Sequence, residues 1–219
     1  MTAKALVLIG SPRASKSTSH ALGAYLEERL AEKGMEFDEA YAKKALASEA
    51  GWAELAGKMK AADLIVLSTP LYVDSFPAPV MAIYERTWKE GVPLRGKGFA
   101  VIMNSGFPEA FHMNTGLKIA EHFARKVGMD WLGGLAMGSG AAIDGQPLGQ
   151  AGARSRHAVK GLDMAADFLA GLKPIPAEAK AEFAKPVMPR GFMVWASNRT
   201  FRRAHKKAGK GGLRDRPYQ

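Results

Sequence analysis

Cysteine is absent from this sequence of 219 residues. Its absence excludes disulfides, cysteine-ligated zinc, iron–sulfur clusters held by cysteine, and thiolate nucleophiles. A chain of this length buries roughly 70% of the surface of its unfolded form, so it needs no disulfide or metal in order to fold. The lack of cysteine also fits a reducing compartment, and we expect a cytoplasmic protein.

Long hydrophobic runs are missing as well. The longest stretch without a charged residue is 131–143, which has 13 residues and is rich in glycine, whereas a membrane span needs about 20 apolar residues. Only six apolar or small residues separate Lys4 from Ser11, and the apolar region of a secretory signal needs about 7–15. The sequence therefore predicts neither a membrane-spanning helix nor a secretory signal.

Acidic residues are scarce at the carboxyl terminus. Residues 185–219 contain ten Lys or Arg and a single acid, Asp215, while the whole chain has a net charge of +10. The preceding 184 residues are therefore almost neutral, at +1. A pI of 9.8 thus describes the tail and does not indicate that the whole protein binds nucleic acid.

Short apolar runs alternate with amphipathic stretches along the chain. Buried strands are predicted at 4–10, 63–68 and 98–104, with a glycine-interrupted strand at 131–137 and a half-exposed edge strand at 35–41. Helices are predicted at 17–33, 49–62, 79–90, 115–127 and 156–172. This alternation predicts an α/β fold, a doubly wound parallel sheet with helices on both faces. Ligands of such sheets bind at the carboxyl ends of the strands.

The loop after the first predicted strand has the composition of an anion site. Residues 10–19 read GSPRASKSTS and lead into a helix, where free amides and the helix dipole attract an anion. The loop lacks the GxGxxG and GxxxxGK[ST] patterns, and the similar cradle of small phosphatases needs a cysteine. The alternative is an ordinary turn with a Ser or Thr N-cap. We predict a phosphate-binding loop.

The loops after the third and fourth predicted strands favour a flat ring. Residues 69–79 (TPLYVDSFPAP) form a stiff, partly aromatic wall, although a proline-rich turn that starts a helix is the alternative. In residues 104–111 (NSGFPEAF), Asn, Ser and Gly expose amides and Phe107 can stack, although an ordinary turn is equally compatible. Together the three loops predict an anion pocket and a flat-ring slot on one edge of the sheet.

These motifs resemble those of the flavodoxin-like NAD(P)H-dependent FMN reductase family. The matching segments are the strand–GSPRASKST–helix unit, residues 62–87 and the loop at 104–107, and residues 147–148 and 171–176 resemble members with a basic extension. The resemblance implies a five-stranded flavodoxin-like sheet of order 2-1-3-4-5. It also implies an FMN-binding domain at 1–175 and a basic, partly helical extension at 176–219.

By this resemblance, the FMN phosphate would be held by Ser11, Arg13, Ser17 and Thr18. The isoalloxazine ring would be framed by Pro70, Leu71, Tyr72, Val73, Asn104, Ser105, Gly106 and Phe107. Family members often have Asn at the position of Ser17, and many have Trp at the position of Val73, so the acceptor site here would be wider. No catalytic side chain is expected, and the five His residues show no metal-ligand spacing.

The resemblance implies an FMN-dependent oxidoreductase, with NAD(P)H as cosubstrate. The enzyme would pass a hydride from NAD(P)H through FMN to a small acceptor such as a quinone, a nitro compound or a flavin, and would be a homodimer. One alternative is a flavodoxin-type electron carrier without NAD(P)H turnover, against which the near-neutral body argues mildly. Another is a module that has lost flavin, against which the intact phosphate-loop donors argue.

The tail mixes apolar and basic residues. Residues 192–195 are four consecutive large apolar residues, and several Arg and Lys follow them. Because such side chains are costly to leave in water, the pattern predicts docking on a protein surface, either of this chain or of a dimer partner. A nucleic acid is not expected as a partner, and a membrane surface is the less favoured alternative.

Overall fold

The sheet has five parallel strands with β2 at one edge. The computed structural model describes residues 2–187 and 189–209. The strands are β1 (Lys4–Ile9), β2 (Glu36–Tyr41), β3 (Leu64–Pro70), β4 (Gly98–Asn104) and β5 (Asp130–Met137). Their order is β2-β1-β3-β4-β5, which confirms the predicted topology.

Helices connect the strands and follow the last one. They are α1 (Thr18–Glu32), α2 (Ala42–Ala45), α3 (Glu49–Ala61), α4 (Ala78–Lys89), α5 (Asn114–Val127), α6 (Arg156–Leu169), α7 (Ala177–Phe183) and α8 (Arg190–Lys207). Ser17 and Ser48 begin α1 and α3, because their hydroxyls accept hydrogen bonds from first-turn amides. Gly128 ends α5 in the left-handed conformation, with φ 79°.

Each face of the sheet has its own hydrophobic core. On one face, Val7 and Ile9 of β1 pack in a cluster with Leu26 of α1 and with residues of α6. On the other face, Leu6 and Leu8 belong to a cluster with α3, α4 and α5. Because both faces of β1 are buried, its apolar run is continuous and does not alternate with polar residues.

One predicted core residue is exposed. Val80, Tyr84 and Trp88 recur every four residues along α4, and the spacing predicts that all three face the core. Val80 and Tyr84 are buried, but Trp88 is 52% exposed. Eight residues of an α-helix turn through two full circles and about 80° more, so Trp88 has rotated away from the core face. Its indole lies 4.9 Å from the ammonium of Lys126 instead.

The described chain divides into two compact units, one ending at Val187 and one beginning after it. The first unit holds the sheet and α1 to α7, and the second holds α8. Residue Phe183 of α7 is fully buried, and α7 belongs to the same compact unit as the sheet. The domain boundary expected from the sequence lies earlier, after residue 175. Within residues 2–187 and 189–209, no helix has both the length and the apolar composition to cross a bilayer.

Candidate functional site

A pocket of about 190 Å³ opens at the carboxyl edge of the sheet, where the loops after β1, β3 and β4 meet. Its lining residues are Ser11, Arg13, Ser17, Thr18, Ser19, Pro70, Leu71, Tyr72, Asn104, Ser105, Gly106, Gly140 and Ala141. Of the twelve predicted site residues, ten line this pocket, while Val73 and Phe107 do not. Ser19, Gly140 and Ala141 are lining residues that the sequence reasoning missed.

The loop after β1 turns tightly before α1 begins. Ala14 has φ 49°, in the left-handed region, and starts a single 3-10 turn, Ala14–Lys16. The amide of Arg13 donates to the Ser11 hydroxyl oxygen at 3.3 Å. Because that oxygen acts as an acceptor, the proton of the Ser11 hydroxyl can be donated to a bound anion.

The hydroxyls of Ser17 and Thr18 already have partners within the protein. Ser17 Oγ donates to the carbonyl of Ala14 at 2.7 Å and accepts from the amide of His20 at 3.1 Å. Thr18 Oγ1 donates to the carbonyl of Gly140 at 2.9 Å. These two side chains therefore hold the loop in shape. An anion would instead be bound by the backbone amides at the start of α1, which have no acceptor within the helix.

The single cation of the pocket is paired with an acid. Arg13 Nη2 lies 3.2 Å from Asp144 Oδ1, and both side chains are largely exposed, at 59% and 69%. Exposed pairs of this kind contribute little to stability, about 0–1 kcal/mol. The guanidinium thus remains free to turn toward an anion in the pocket, where a charge-assisted hydrogen bond is the stronger interaction.

The loop after β5 supplies a fourth wall that the sequence analysis did not include. The amide of Gly140 donates to the carbonyl of Ser105 at 2.8 Å, and the amide of Ser139 donates to the carbonyl of Phe107 at 2.6 Å. A Cβ at Gly138 would lie only 2.1 Å from the carbonyl oxygen of Pro108, so only glycine permits this backbone approach. The signal was available: a Gly-Ser-Gly run directly follows β5 on the same sheet edge.

A buried polar network underlies the pocket. The side-chain amide of Asn104 donates to Ser19 Oγ at 2.8 Å and to the carbonyl of Thr69 at 3.3 Å. Ser68 Oγ donates to the carbonyl of Ser19 at 2.6 Å. These bonds tie the first turn of α1 to the ends of β3 and β4. The orientation of the helix amides toward the pocket is therefore fixed by buried contacts.

Aromatic side chains stand at the rim of the site. Tyr72 is half exposed and lines the pocket. The rings of Phe107 and Phe111 lie 4.6 and 4.3 Å from the ring of His112. Val73 is 96% exposed, because it occupies a tight turn with φ 47° that directs its side chain outward. The predicted aromatic wall is thus Tyr72, with a separate cluster around His112.

No cluster of three or more His, Asp or Glu side chains suited to a metal ion occurs within residues 2–187 and 189–209. The polar groups among the residues that line the pocket are hydroxyls, amides, one guanidinium and one phenol. Hydroxyls, amides and a guanidinium are the donors that bind phosphate in proteins, and the phenol ring can pack against a planar group.

Three solved structures resemble this fold. RosB, with a bound 8-demethyl-8-formylriboflavin-5′-phosphate intermediate, is 16% identical with a TM-score of 0.61, over 100% of this chain and 96% of RosB. An FMN-dependent NADH-azoreductase from Bacillus anthracis is 16% identical with a TM-score of 0.56, over 77% and 100%. FerB from Paracoccus denitrificans, a flavoenzyme NAD(P)H:(acceptor) oxidoreductase, is 22% identical with a TM-score of 0.50, over 59% and 75%.

The sequence comparison agrees with this likeness of fold. No curated protein matches the sequence. Residues 3–159 match the family described by its flavodoxin-like fold. This match covers all five strands and every loop that lines the pocket. Since it extends over more than half of the chain, the chain belongs to the family of proteins with the flavodoxin-like fold.

Proposed function

We propose that this protein is an FMN-dependent oxidoreductase that passes a hydride from NAD(P)H through bound FMN to a small acceptor such as a quinone, a nitro compound or a flavin. The observation that carries the proposal is the pocket itself. At one sheet edge it combines the first-turn amides of α1, the Ser11 hydroxyl and the Arg13 guanidinium with the aromatic ring of Tyr72. The family membership and the three flavin-related neighbours support it.

The donor set fits a single phosphate. Ser11, Arg13 and the amides of Thr18 and Ser19 converge from one loop and one helix N-terminus, which matches a monophosphate. Ser17 and the hydroxyl of Thr18 would hold the loop in shape. The pocket of about 190 Å³ is smaller than the roughly 300–1,000 Å³ of sites that enclose a whole ligand. We therefore place the phosphate and its linker inside and the ring at the open mouth.

The mouth would receive the flavin ring. Pro70, Leu71 and Tyr72 form one side, and the backbone of Asn104, Ser105 and Gly106 forms the other. These residues would hold FMN, which when bound would supply the redox chemistry of hydride transfer. The protein supplies position, because the buried Asn104 network fixes the wall of the pocket.

The identity of the flavin is the first test. We expect the purified protein to carry or take up FMN in preference to FAD, because the anion donors among the lining residues belong to one loop and one helix N-terminus, which suits a single phosphate group. Flavin released by heat is identified by chromatography. A colourless protein that takes up neither flavin on reconstitution contradicts the proposal.

Turnover is the second test, and it separates an enzyme from an electron carrier. The FMN-loaded protein should oxidise NADH or NADPH in a steady-state assay, and a quinone should accelerate the oxidation. Protein freed of FMN is the matched control, since it retains the fold without the redox group. FMN binding without oxidation of either nucleotide would favour the flavodoxin-type carrier instead.

A further inference from the structure

Helix α8 combines strong positive charge with exposed aromatic rings. Its 18 residues, Arg190–Lys207, include six Lys or Arg and no acid. The side chains of Phe192, Trp195 and Phe201 are 56%, 56% and 69% exposed. Large exposed apolar groups among basic residues mark an interaction surface. A helix with six cations and no acid is complementary in charge to an anionic surface.

The apolar residues are concentrated in the first half of the helix and most of the basic residues in the second half, where Phe201 lies among them. Residues 192–196 (FMVWA) are all apolar and follow one another at about 100° intervals, so they surround the first turns of the helix. The basic residues Arg199, Arg202, Arg203 and Lys206 lie in the second half. With Trp195 and Asn198 they line a groove of about 420 Å³. The helix thus has an apolar collar followed by a basic half.

The basic half and the collar are in contact through aromatic interactions. The guanidinium of Arg199 lies 5.6 Å from the centre of the Trp195 ring, and the Phe192 and Trp195 rings are 5.7 Å apart. Trp and Arg together are typical of the boundary between water and lipid, where an amphipathic ring and a cation both find partners. A collar that is apolar on all sides suits a medium that encloses the helix end, whereas a flat protein surface covers only one side.

We propose that α8 binds the surface of an anionic phospholipid membrane, with residues 192–196 entering the boundary between headgroups and acyl chains and the basic half lying on the phosphates. This departs from the expectation that the tail docks on protein. The proposal rests on the observation that residues 192–196 and the basic residues after them form one continuous helix. The sequence alone did not establish this continuity. Clusters of four to eight Lys or Arg on such a helix are typical of binding to anionic lipid.

The test uses the full-length protein and vesicles of phosphatidylcholine, with or without phosphatidylglycerol. We expect sedimentation with the mixed vesicles and little with phosphatidylcholine alone. The double variant Arg202→Glu/Arg203→Glu should bind the mixed vesicles at least about 25-fold more weakly, because each basic residue near an anionic surface contributes about fivefold. The matched control is Lys60→Glu/Lys118→Glu, which changes the net charge equally at two exposed lysines of the first unit and should leave binding nearly unchanged.

A second pair of variants tests the apolar collar. Trp195→Ala should weaken binding to the mixed vesicles by at least about fivefold, because a large apolar side chain leaves the lipid boundary. Trp88→Ala is its control, since Trp88 is exposed to a similar extent, 52%, but lies on α4. Circular dichroism of all variants should match that of the parent protein, because every substituted side chain is exposed, and Trp88→Ala should lower the thermal midpoint slightly through loss of its contact with Lys126.

Three results would overturn the proposal. The first is no sedimentation with the mixed vesicles. The second is equal loss of binding in the α8 variants and their controls, which would indicate net charge alone. The third is tighter binding to a single-stranded RNA oligonucleotide than to the mixed vesicles at the same salt concentration, with loss in the Arg202→Glu/Arg203→Glu variant. That result would assign α8 to nucleic acid.

Discussion

The two edges of the sheet use backbone conformation differently. At the amino edge, Gly34 and Gly96 are left-handed, with φ 84° and 76°, and a Cβ at either position would meet no atom within 4 Å. At these two positions glycine lets the chain turn. At the carboxyl edge, glycines such as Gly138 and Gly140 are crowded, with the nearest atoms 2.1 and 2.8 Å from where a Cβ would lie. There glycine lets one backbone segment pack closely against its neighbours.

The carboxyl edge also places other residue types in the left-handed region. Ala14, Val73, Asp74, Ser139 and Asp144 all have φ between 47° and 61°. All five lie in the loops after β1, β3 and β5, which surround the pocket. Each such residue costs roughly 1–2 kcal/mol relative to an ordinary conformation. Strain and close packing therefore accumulate where the pocket is formed, as they do at functional sites in general.

The largest expected effect is at Gly138. Gly138→Ala should destabilise the protein by about 3 kcal/mol, because a Cβ there meets the carbonyl of Pro108 at 2.1 Å and core overpacking costs about 1–3 kcal/mol. Urea denaturation measures the change. The same variant should bind FMN more weakly, since the loops after β4 and β5 must separate.

The control for this substitution lies in a helix. Gly57 is inside α3 and has no atom within 4 Å of a Cβ, so Gly57→Ala should stabilise the protein by about 0.5–1 kcal/mol. If Gly138→Ala were as stable as the parent protein, the close approach of the two loops would not be a requirement of the fold, and the contrast between the edges would fail.

The next effect concerns the cation of the pocket. Arg13→Ala should lower FMN affinity by about 10- to 100-fold, because a hydrogen bond to a charged group contributes about 1.5–3 kcal/mol. Stability should stay unchanged, since the side chain is 59% exposed. Titration of the apo-protein with FMN measures the affinity, and Lys118→Ala is the control, as an exposed cation outside the pocket. An unaltered affinity would place the phosphate elsewhere.

The ionisation of Glu27 should change the stability of the fold without changing the affinity of the pocket for FMN. Burial, with the charges of Glu39 and Glu28, raises the pKa of Glu27 to about 8. Between about pH 4.5 and 8 the unfolded chain releases this proton while the folded chain keeps it, so stability falls as the pH rises. Glu27→Gln should flatten this decline and stabilise the protein by about 1–2 kcal/mol at pH 8. Urea denaturation across this pH range measures it.

The same variant sharpens the comparison of the edges. Glu27 lies in α1 away from the pocket lining, so Glu27→Gln should bind FMN with the affinity of the parent protein. A large change in FMN affinity in this variant would show that stability anywhere in α1, rather than the carboxyl edge itself, governs the site.

The smallest effect compares one residue from each edge. Gly34→Ala should destabilise the protein by about 1 kcal/mol, because alanine is strained at φ 84°. Ala14→Gly should have the opposite sign and stabilise by up to about 0.5 kcal/mol, because relief of strain at φ 49° exceeds the added entropy of the unfolded chain. Thermal unfolding distinguishes the signs. A destabilising Ala14→Gly would mean that alanine at position 14 is not strained, and the argument that strain accumulates at the carboxyl edge would lose this residue.

The sequence predicted the sheet well because its signals are strong and local. The apolar runs of β1, β3 and β4 are buried on both faces, and alternation with helices leaves few topologies. The loop after β1 was predicted to bind phosphate from its composition and position alone. The direction of Val73 could not be read, because it depends on a tight turn with φ 47°. The exposure of Trp88 follows from the rotation of 100° per residue along α4, which a spacing of four residues does not match.

The contacts that hold the fourth wall of the pocket in place depend on long-range geometry. The hydroxyl of Thr18 donates a hydrogen bond to the carbonyl of Gly140, although 122 positions separate the two residues. No local sequence pattern predicts such a pair. The same holds for the bond between Asn104 and Ser19. The general rule that ligands bind at the carboxyl ends of strands would have included the loop after β5. The loop after β5 has no charged or aromatic residue before Asp144, so its composition gives no sign of a binding site.

The most direct measurement of the central claim is an NMR map of backbone amide shifts when FMN is added to the apo-protein. The account predicts the largest changes at Ser11, Thr18 and Ser19, with further changes at Tyr72 and Gly106, all at the carboxyl edge. Amides of the amino-edge turns, such as that of Gly34, should stay unchanged. Shifts concentrated away from this edge, or no shifts at FMN saturation, would contradict the assignment of the pocket as the flavin site.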